Sequence, residues 1–309
     1  MNEIRISIVS PVYNAEKIVD ELVQQVTSSV EQLTSDYEII LVEDGSQDHS
    51  WKFILANAAK NEKIKGIRLS RNFGQHAAII AGLEHAKGEW IIVMDCDLQD
   101  DPAEFSKLYN KAMEGYDVVL AKREDRQDGK IKKMVSRFFY EVFEYLTDTT
   151  QTPTIANFGI FHRKVINAVL KIDDFVKFFP GMVKWVGFDV TAINVKHQLR
   201  YEGSSTYNIK KLITLAVNVI LSFSTKPLIL LIKFGLLISF CAFLFVCYTL
   251  YELHIGVIKV MGYTSIISSI WLLSGLIIAC IGFVGLYIGR IFDQSKHRPV
   301  YIVNQQINL

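Results

Sequence analysis

Trp90-Ile91-Ile92-Val93-Met94-Asp95-Cys96-Asp97-Leu98-Gln99-Asp100-Asp101-Pro102 is an apolar run that stops abruptly in carboxylates before a proline. The run has the character of a buried strand. An Asp-x-Asp at the carboxyl end of such a strand stands where an α/β protein places its ligand. Alternate residues of an extended chain point to opposite sides, so Asp95 and Asp97 grip one object only if the strand bends there. Hard oxygen ligands suit Mg²⁺ or Mn²⁺, which bind through one or two carboxylates plus the phosphate oxygens of a substrate. The plainer alternative is a solvated strand end, with Pro102 at the first helical position.

The residues before this stretch alternate strand and helix signals. Ile4 to Ser10 is strand-like, and Ile18, Leu22, Val26 and Val30 recur at helical spacing within Ala15 to Leu33. Tyr37 to Val42 reads as a second strand, and Asp48 caps a helix running through Asn61. Ile64 to Leu69, Gln75 to Ala86 and Trp90 to Met94 continue the alternation. Pro102 to Glu114 is helical and Tyr116 to Ala121 a fifth strand. The pattern predicts a mostly parallel, twisted sheet with helices on both faces.

Lys122 to Arg137 interrupts it with Lys122, Arg123, Arg126, Lys130, Lys132, Lys133 and Arg137. The run reads equally as a solvated helix face or as an anion site after the last strand.

The chain has 309 residues, half of them hydrophobic, and the excess lies after Pro227. Leu228 to Tyr251 carries one charge, Lys233, and Ile266 to Ile288 carries none. Each exceeds the roughly 20 apolar residues that span a bilayer. Gly275, Gly282, Gly285 and Gly289 would permit close helix packing. Lys210, Lys211 and Lys226 precede the first span, and Arg290, Lys296, His297 and Arg298 follow the second. The positive-inside rule then puts both flanks, and both termini, in the cytoplasm. Tyr207 to Phe223 alternates basic and apolar residues as a helix lying along the membrane surface does. The expected division is a catalytic domain over 1–205, an interfacial helix and linker over 206–227, two spans within 228–289 and a cytoplasmic tail over 290–309.

A net charge of +1 gives no reason to expect a nucleic-acid partner. The four cysteines have neither zinc-site nor disulfide-framework spacing, and the N-terminus shows no signal peptide. A cytoplasmic α/β domain with an Asp-x-Asp motif, fixed to a membrane, suggests transfer from a nucleotide-activated donor to a lipid. Asp97 is then the first candidate metal ligand, with Asp95 binding through water or orienting the donor and Gln99 as a third candidate. Ser10-Pro11-Val12-Tyr13-Asn14-Ala15-Glu16 follows the first strand and faces the ligand crevice, where Asn14 could also cap the first helix. Asp44 ends the second strand as a ribose or base acceptor, or as a turn aspartate before Gly45.

Pro11-Val12-Tyr13-Asn14, Val42-Glu43-Asp44-Gly45-Ser46-Gln47-Asp48, Arg71-Asn72-Phe73-Gly74-Gln75 and Asp95-Cys96-Asp97-Leu98-Gln99-Asp100 resemble glycosyltransferase family 2. More narrowly, they are similar to the polyprenyl-phosphate glycosyltransferases: the dolichol-phosphate mannose synthases and the bactoprenol glucosyltransferases. The second group shares a two-span tail, whose borders resemble Ser222 to Pro227 and Gly289 to Tyr301 here.

The resemblance implies a GT-A, Rossmann-like fold followed by a transmembrane hairpin. It also implies inverting, metal-dependent transfer from a nucleotide-sugar, taken as a UDP-sugar, to undecaprenyl or a similar polyprenyl phosphate. By position, Pro11, Tyr13, Asn14, Glu16 and Asp44 would contact the nucleotide, with Asp95 and Cys96 beside them. Asp95, Asp97 and Gln99 would serve the metal and diphosphate. Arg123 and Arg137 would hold phosphate oxygens, a task that suits guanidinium forks. Relatives often read Gly-Asp-Phe-Arg near the acceptor, where this chain has Ala156-Asn157-Phe158-Gly159 followed by Arg163. The missing aspartate moves attention to Asn157, as an amide for a phosphate oxygen or as a turn cap. Self-association stays open. The rivals are a polymer-extending synthase, whose Gln-x-x-Arg-Trp motif is missing from the chain, and a catalytically dead scaffold that binds nucleotide-sugar.

Overall fold

A computed structural model describes residues 5–123, 155–174, 177–195, 224, 226–255 and 262–309. It divides into two units, one carrying the sheet and the C-terminal residues from Arg298, the other carrying the long apolar helices.

In the first unit, β1 (Ile6–Val12), β2 (Tyr37–Glu43) and β4 (Trp90–Val93) are buried at every position. Strands buried along their whole length and mostly apolar in sequence are covered on both faces. With β3 (Ile64–Leu69), β5 (Val118–Arg123), β6 (Ile155–His162), β7 (Val190–Val195) and β8 (Val303–Ile307) they form a sheet in the order β7-β5-β6-β4-β1-β2-β3-β8. Parallel pairings join β1 to both β2 and β4, β2 to β3, and β5 to β7. β6 is antiparallel to β4 and β5, and β8 is antiparallel to β3. The expected mostly parallel sheet is therefore present, with two reversed strands.

One face carries α1 (Val19–Val30), α2 (Ser50–Lys60) and α4 (Phe105–Met113). Leu22, Val26, Phe105 and Leu108 pack there against Ile8, Ile39, Ile92, Phe158 and Ile160. The short α1 lacks the expected start at Ala15, because residues 13–16 are committed to the neighbouring loop. α3 (Gln75–His85) lies on the other face and is buried almost all round, from Ala77 to Leu83, as an apolar helix without a polar stripe must be. α5 (Arg163–Leu170) and α6 (Phe179–Trp185) complete the described helices of this unit.

Residues 290–309, read from sequence as a tail, end in a strand. β8 pairs along β3, with Ile67 opposite Gln306 and Arg68 opposite Gln305. Trp51 Nε1 donates to Gln305 Oε1 at 2.7 Å, and Asn308 Nδ2 donates to the carbonyls of Ala58 and Ile64 at 2.9 and 3.0 Å. β8 thereby covers what would otherwise be an open sheet edge.

The second unit contains α7 (Lys226–His254) and α8 (Tyr263–Ser295), which enclose the two expected spans. Among the described residues, Leu273–Ser295 is long and apolar enough to cross a membrane, with mean hydropathy 2.0. Its large side chains stand in the open, Ile278 being 70% exposed and Ile291 69%. Side chains added at Gly275, Gly282, Gly285 or Gly289 would meet nothing within 4 Å. Tyr287 Oη donates to the Ser224 carbonyl at 3.0 Å, tying α8 to the residues just ahead of α7. The expected surface helix at Tyr207–Phe223 lies outside the described residues.

Candidate functional site

All the parallel strands deliver their carboxyl ends to one edge of the sheet. The strand order reverses at β1, which has β2 on one side and β4 on the other. Such a switch point opens a crevice between diverging loops. The loops after β1 and β4 flank it, and these are the two loops singled out from sequence.

The β1 loop is fastened to the loop after β2. Pro11 is buried within β1, opposite Val42, and Tyr13 is 42% exposed at the strand's end. Asn14 has φ +50°, its N–H donates to Ser46 Oγ at 3.0 Å, and its Oδ1 accepts from Gln47 N at 3.2 Å. It therefore cross-links two loops and does not cap α1, the alternative allowed by sequence. Glu16 Oε2 accepts from His49 N, and Glu16 N donates to Asp48 Oδ2, both at 3.0 Å. Asp48 also accepts from Ser50 N and Oγ, at 3.0 and 2.6 Å. Burial alone would raise its carboxyl, but the hydrogen bonds from Ser50 and Glu16 outweigh burial and hold it below the usual aspartate value.

Asp44 follows β2 and is only 2% exposed. Its carboxylate is more than a turn residue: it accepts from Phe73 N at 2.7 Å and Gly74 N at 2.9 Å. Burial, helped by the neighbouring Glu43 charge, raises its pKa against the opposing pull of those N–H groups and Arg71. Glu43 is fully buried, accepts from Ser46 N and pairs with Arg68 at 3.2 Å.

After β4 the chain bends as the Asp-x-Asp reading requires. Met94 and Leu98 are buried, while Asp95, Cys96 and Asp97 between them, and Gln99 after them, are half-buried. Leu98 takes φ +55°. Asp97 Oδ1 accepts from Gln99 N at 3.2 Å, closing the turn. Asp95 Oδ1 accepts from Gln75 Nε2 at 2.6 Å. Burial, with the Asp95 and Asp97 charges beside it, pushes the Cys96 thiol up to about 12. Asp101 is a helix cap, accepting from Ala103 N at 2.9 Å, and Glu104 pairs with Lys107 at 2.6 Å.

Among the described residues no three His, Cys, Asp or Glu side chains form a cage for a metal. Two aspartates on one bent loop fit a hard cation that takes its remaining ligands from substrate oxygens and water.

Asn157 lies inside β6, where the sequence allowed a turn cap. The β4–β6 register sets Val93 opposite Gly159, so Asn157 lies beyond the last paired position, on the side of the sheet where β4 ends. Arg123 ends β5 at the same edge of the sheet, while Arg137 lies outside the described residues. Arg163 is at the opposite edge, where its Nε donates to the Gly88 carbonyl at 2.8 Å. It takes no part in the crevice. The sequence reading also missed what Gln75 does: its motif was quoted without a role, because nothing local to residues 71–75 points to Asp95.

This geometry places the chain among known proteins. Residues 7–170 match the family model described as glycosyl transferase family 2. The chain is 33% identical over 303 residues to the bactoprenol glucosyl transferase of Shigella phage SfV, covering 98% of this chain and 99% of that one. It is also 33% identical over 303 residues to the undecaprenyl-phosphate 4-deoxy-4-formamido-L-arabinose transferase of Aeromonas hydrophila, covering 97% and 93%. Among solved structures, glucosyl-3-phosphoglycerate synthase from Mycobacterium tuberculosis, in complex with Mn²⁺, UDP and phosphoglyceric acid, superposes with a TM-score of 0.50 at 16% identity over 71% of this chain and 76% of that one. That likeness is one of fold, and the fold is GT-A-like. With the strand-end aspartates at the switch point and relatives matched over nearly their full length, the chain is a glycosyltransferase and belongs to glycosyl transferase family 2.

Proposed function

We propose that this enzyme transfers a sugar from a UDP-sugar to undecaprenyl or a similar polyprenyl phosphate, by an inverting, metal-dependent reaction at the cytoplasmic face of the membrane. The observation that carries the reading is the gathering of the β1, β2 and β4 loops at one switch point, where Asn14 and Glu16 bond to the β2 loop and Asp95 accepts from Gln75. The relatives named for bactoprenol and undecaprenyl phosphate support the acceptor class, and the solved structure holding Mn²⁺ with UDP supports the donor and cation.

Pro11, Tyr13, Asn14, Glu16 and Asp44 form the nucleotide side of the crevice. Asp97 and Asp95, with Gln99, would hold Mg²⁺ or Mn²⁺. When bound, that cation neutralises charge on the departing diphosphate. An acceptor phosphate oxygen attacks the anomeric carbon from the face opposite the diphosphate, and the bond to the diphosphate breaks as the new one forms. A phosphate monoester has its second pKa near 6, so it needs no general base at neutral pH. Asn157, where relatives often have aspartate, can then serve as an amide that donates to a phosphate oxygen, whereas a carboxylate would face that oxygen favourably only across a cation. Arg123 and Arg137 are assigned to phosphate oxygens of donor and acceptor. The enzyme's work is orientation and charge neutralisation. The spans anchor the domain, with Lys226 before them and Arg290, Lys296 and Arg298 after them on the cytoplasmic side.

The test is to incubate membranes carrying the enzyme with undecaprenyl phosphate and a panel of nucleotide-sugars, then weigh the lipid product by mass spectrometry. One UDP-sugar should give a lipid monophosphate sugar in a chelator-sensitive reaction. Asp97→Ala should reduce product by more than the roughly 10- to 100-fold that loss of a group supporting a cation ligand costs. Product from the untreated Asp97→Ala enzyme at the wild-type rate would overturn the cation assignment. Binding of nucleotide-sugar without any lipid product would favour a scaffold.

A further inference from the structure

Residues 71–74, between β3 and α3, form a strap along the edge of the sheet that carries the site. Its base is held where Ser70 N donates to the Ile302 carbonyl at 2.8 Å. Its end is held by Asp44, through the N–H groups of Phe73 and Gly74. Between them it presses on Gly45. A Cβ there would stand 2.3 Å from the Arg71 carbonyl carbon and 2.4 Å from Asn72 N, so only glycine fits. Gly74, at φ +98°, then turns the chain into α3 in a conformation that side-chain-bearing residues rarely adopt.

The turn delivers Gln75 to the first position of α3. A side chain serving the helix alone would turn back to the N–H groups of its first turn. This one crosses to a loop 20 residues away in sequence and donates from Nε2 to Asp95 Oδ1 at 2.6 Å. A carboxylate on a bent loop has several orientations open to it. An amide N–H on one oxygen narrows the orientations open to the carboxylate, and with them the directions in which the other oxygen can face.

From this geometry we infer that Gln75 is a positioning residue for Asp95: it sets the carboxylate for the divalent cation that accompanies a nucleoside diphosphate, and Asp44 fixes the strap that presents it. The inference rests on the reading of Asp95 and Asp97 as cation ligands. It gives the Arg71–Gln75 motif a purpose and couples the nucleotide side of the crevice, at Asp44, to the diphosphate side, at Asp95. Carboxylate-orienting partners of this kind tune cation affinity without touching substrate.

The experiment measures UDP binding to the full-length protein in detergent by titration calorimetry, once with Mn²⁺ and once with EDTA. Gln75→Ala should weaken UDP binding in Mn²⁺ by about 10- to 100-fold and leave binding in EDTA unchanged. Gln75→Met keeps the length and helix propensity but has no donor, so it should behave like Gln75→Ala. If Gln75→Met binds as the wild type does in Mn²⁺, or if either variant loses binding equally with and without the metal, Gln75 only packs and the inference fails. Asp97→Ala, run alongside, separates the two levels. Should Mn²⁺ not tighten UDP binding to the wild type, the cation reading falls and takes this inference with it. Should Mn²⁺ tighten UDP binding by the same factor in the wild type and in both Gln75 variants, but not in Asp97→Ala, the cation reading stands and the role of Gln75 alone is refuted.

Discussion

Glu38→Ala separates the stability of this fold from its chemistry. Glu38 is 1% exposed near the start of β2. Its Oε2 pairs with Lys65 Nζ at 2.5 Å, and its Oε1 accepts from Ser7 Oγ at 2.6 Å and Lys87 N at 2.5 Å. Ser7 Oγ in turn accepts from Gly88 N at 2.7 Å. One carboxylate thus joins β1, β2, β3 and the turn into β4. Alanine would leave the Lys65 ammonium, with its side chain 8% exposed, without its counter-charge. Removing one partner of a buried ion pair costs about 3–5 kcal/mol. At roughly 2–4 °C per kcal/mol for a unit of this size, the melting temperature should fall by about 6–20 °C. The double variant Glu38→Leu with Lys65→Met should recover much of that, since a well-packed apolar pair often matches a buried ion pair. Glu38 and Asp44 lie at opposite ends of β2, about 20 Å apart at roughly 3.3 Å per residue. The KM for the nucleotide-sugar should therefore be unchanged at a temperature where both proteins are folded. Thermal unfolding followed by tryptophan fluorescence, with donor kinetics on the same preparations, reads both quantities. A melting temperature close to wild type, or a raised donor KM in the folded variant, would refute the reasoning.

Three further outcomes follow from other parts of the first unit. The carboxyl of Asp48 is held below the usual aspartate value, so its contribution is present above the unfolded-state pKa and is lost as pH falls through the lowered folded-state value. Asp48→Asn should be less stable than wild type near pH 7, with the gap narrowing as pH falls below the ordinary aspartate pKa of about 3.9, in melting curves taken across that range. Deleting residues 303–309 should lower the melting temperature and promote aggregation on size-exclusion chromatography, because it opens the β3 edge. Gln305→Ala alone, which loses the bond from Trp51, should cost about 1 kcal/mol in the same melting assay.

What the sequence determined by itself is what local pattern encodes. The buried runs at Tyr37–Val42 and Trp90–Met94 carry strand character in their composition, and the apolar stretch after Pro227 announces itself by length alone. The abrupt change from Val93 to Asp95 marks a strand end, and in a parallel sheet strand ends are where ligands bind. Pro11 to Glu16, Asp44 and Asp95 to Gln99 were therefore legible as one edge before any coordinates. Only tertiary structure decided what holds those groups. Asn14 could cap α1 or tie to Ser46 and Gln47, and the choice depends on where the β2 loop lies. Asp44 was readable as a ribose acceptor or a turn residue, but its grip on Phe73 and Gly74 depends on how β3 pairs with β2. Arg163 sits close in sequence to Asn157, yet the antiparallel run of β6 carries it to the opposite edge. β8 was invisible because Val303–Ile307 is polar and exposed at its centre, and it becomes a strand through partners such as Trp51, 254 residues away from Gln305. The physical reason is common to all of these. Periodicity and composition report the free energy of burying a segment's own side chains. Hydrogen bonds between loops depend on strand register, which is set by the packing of the whole sheet.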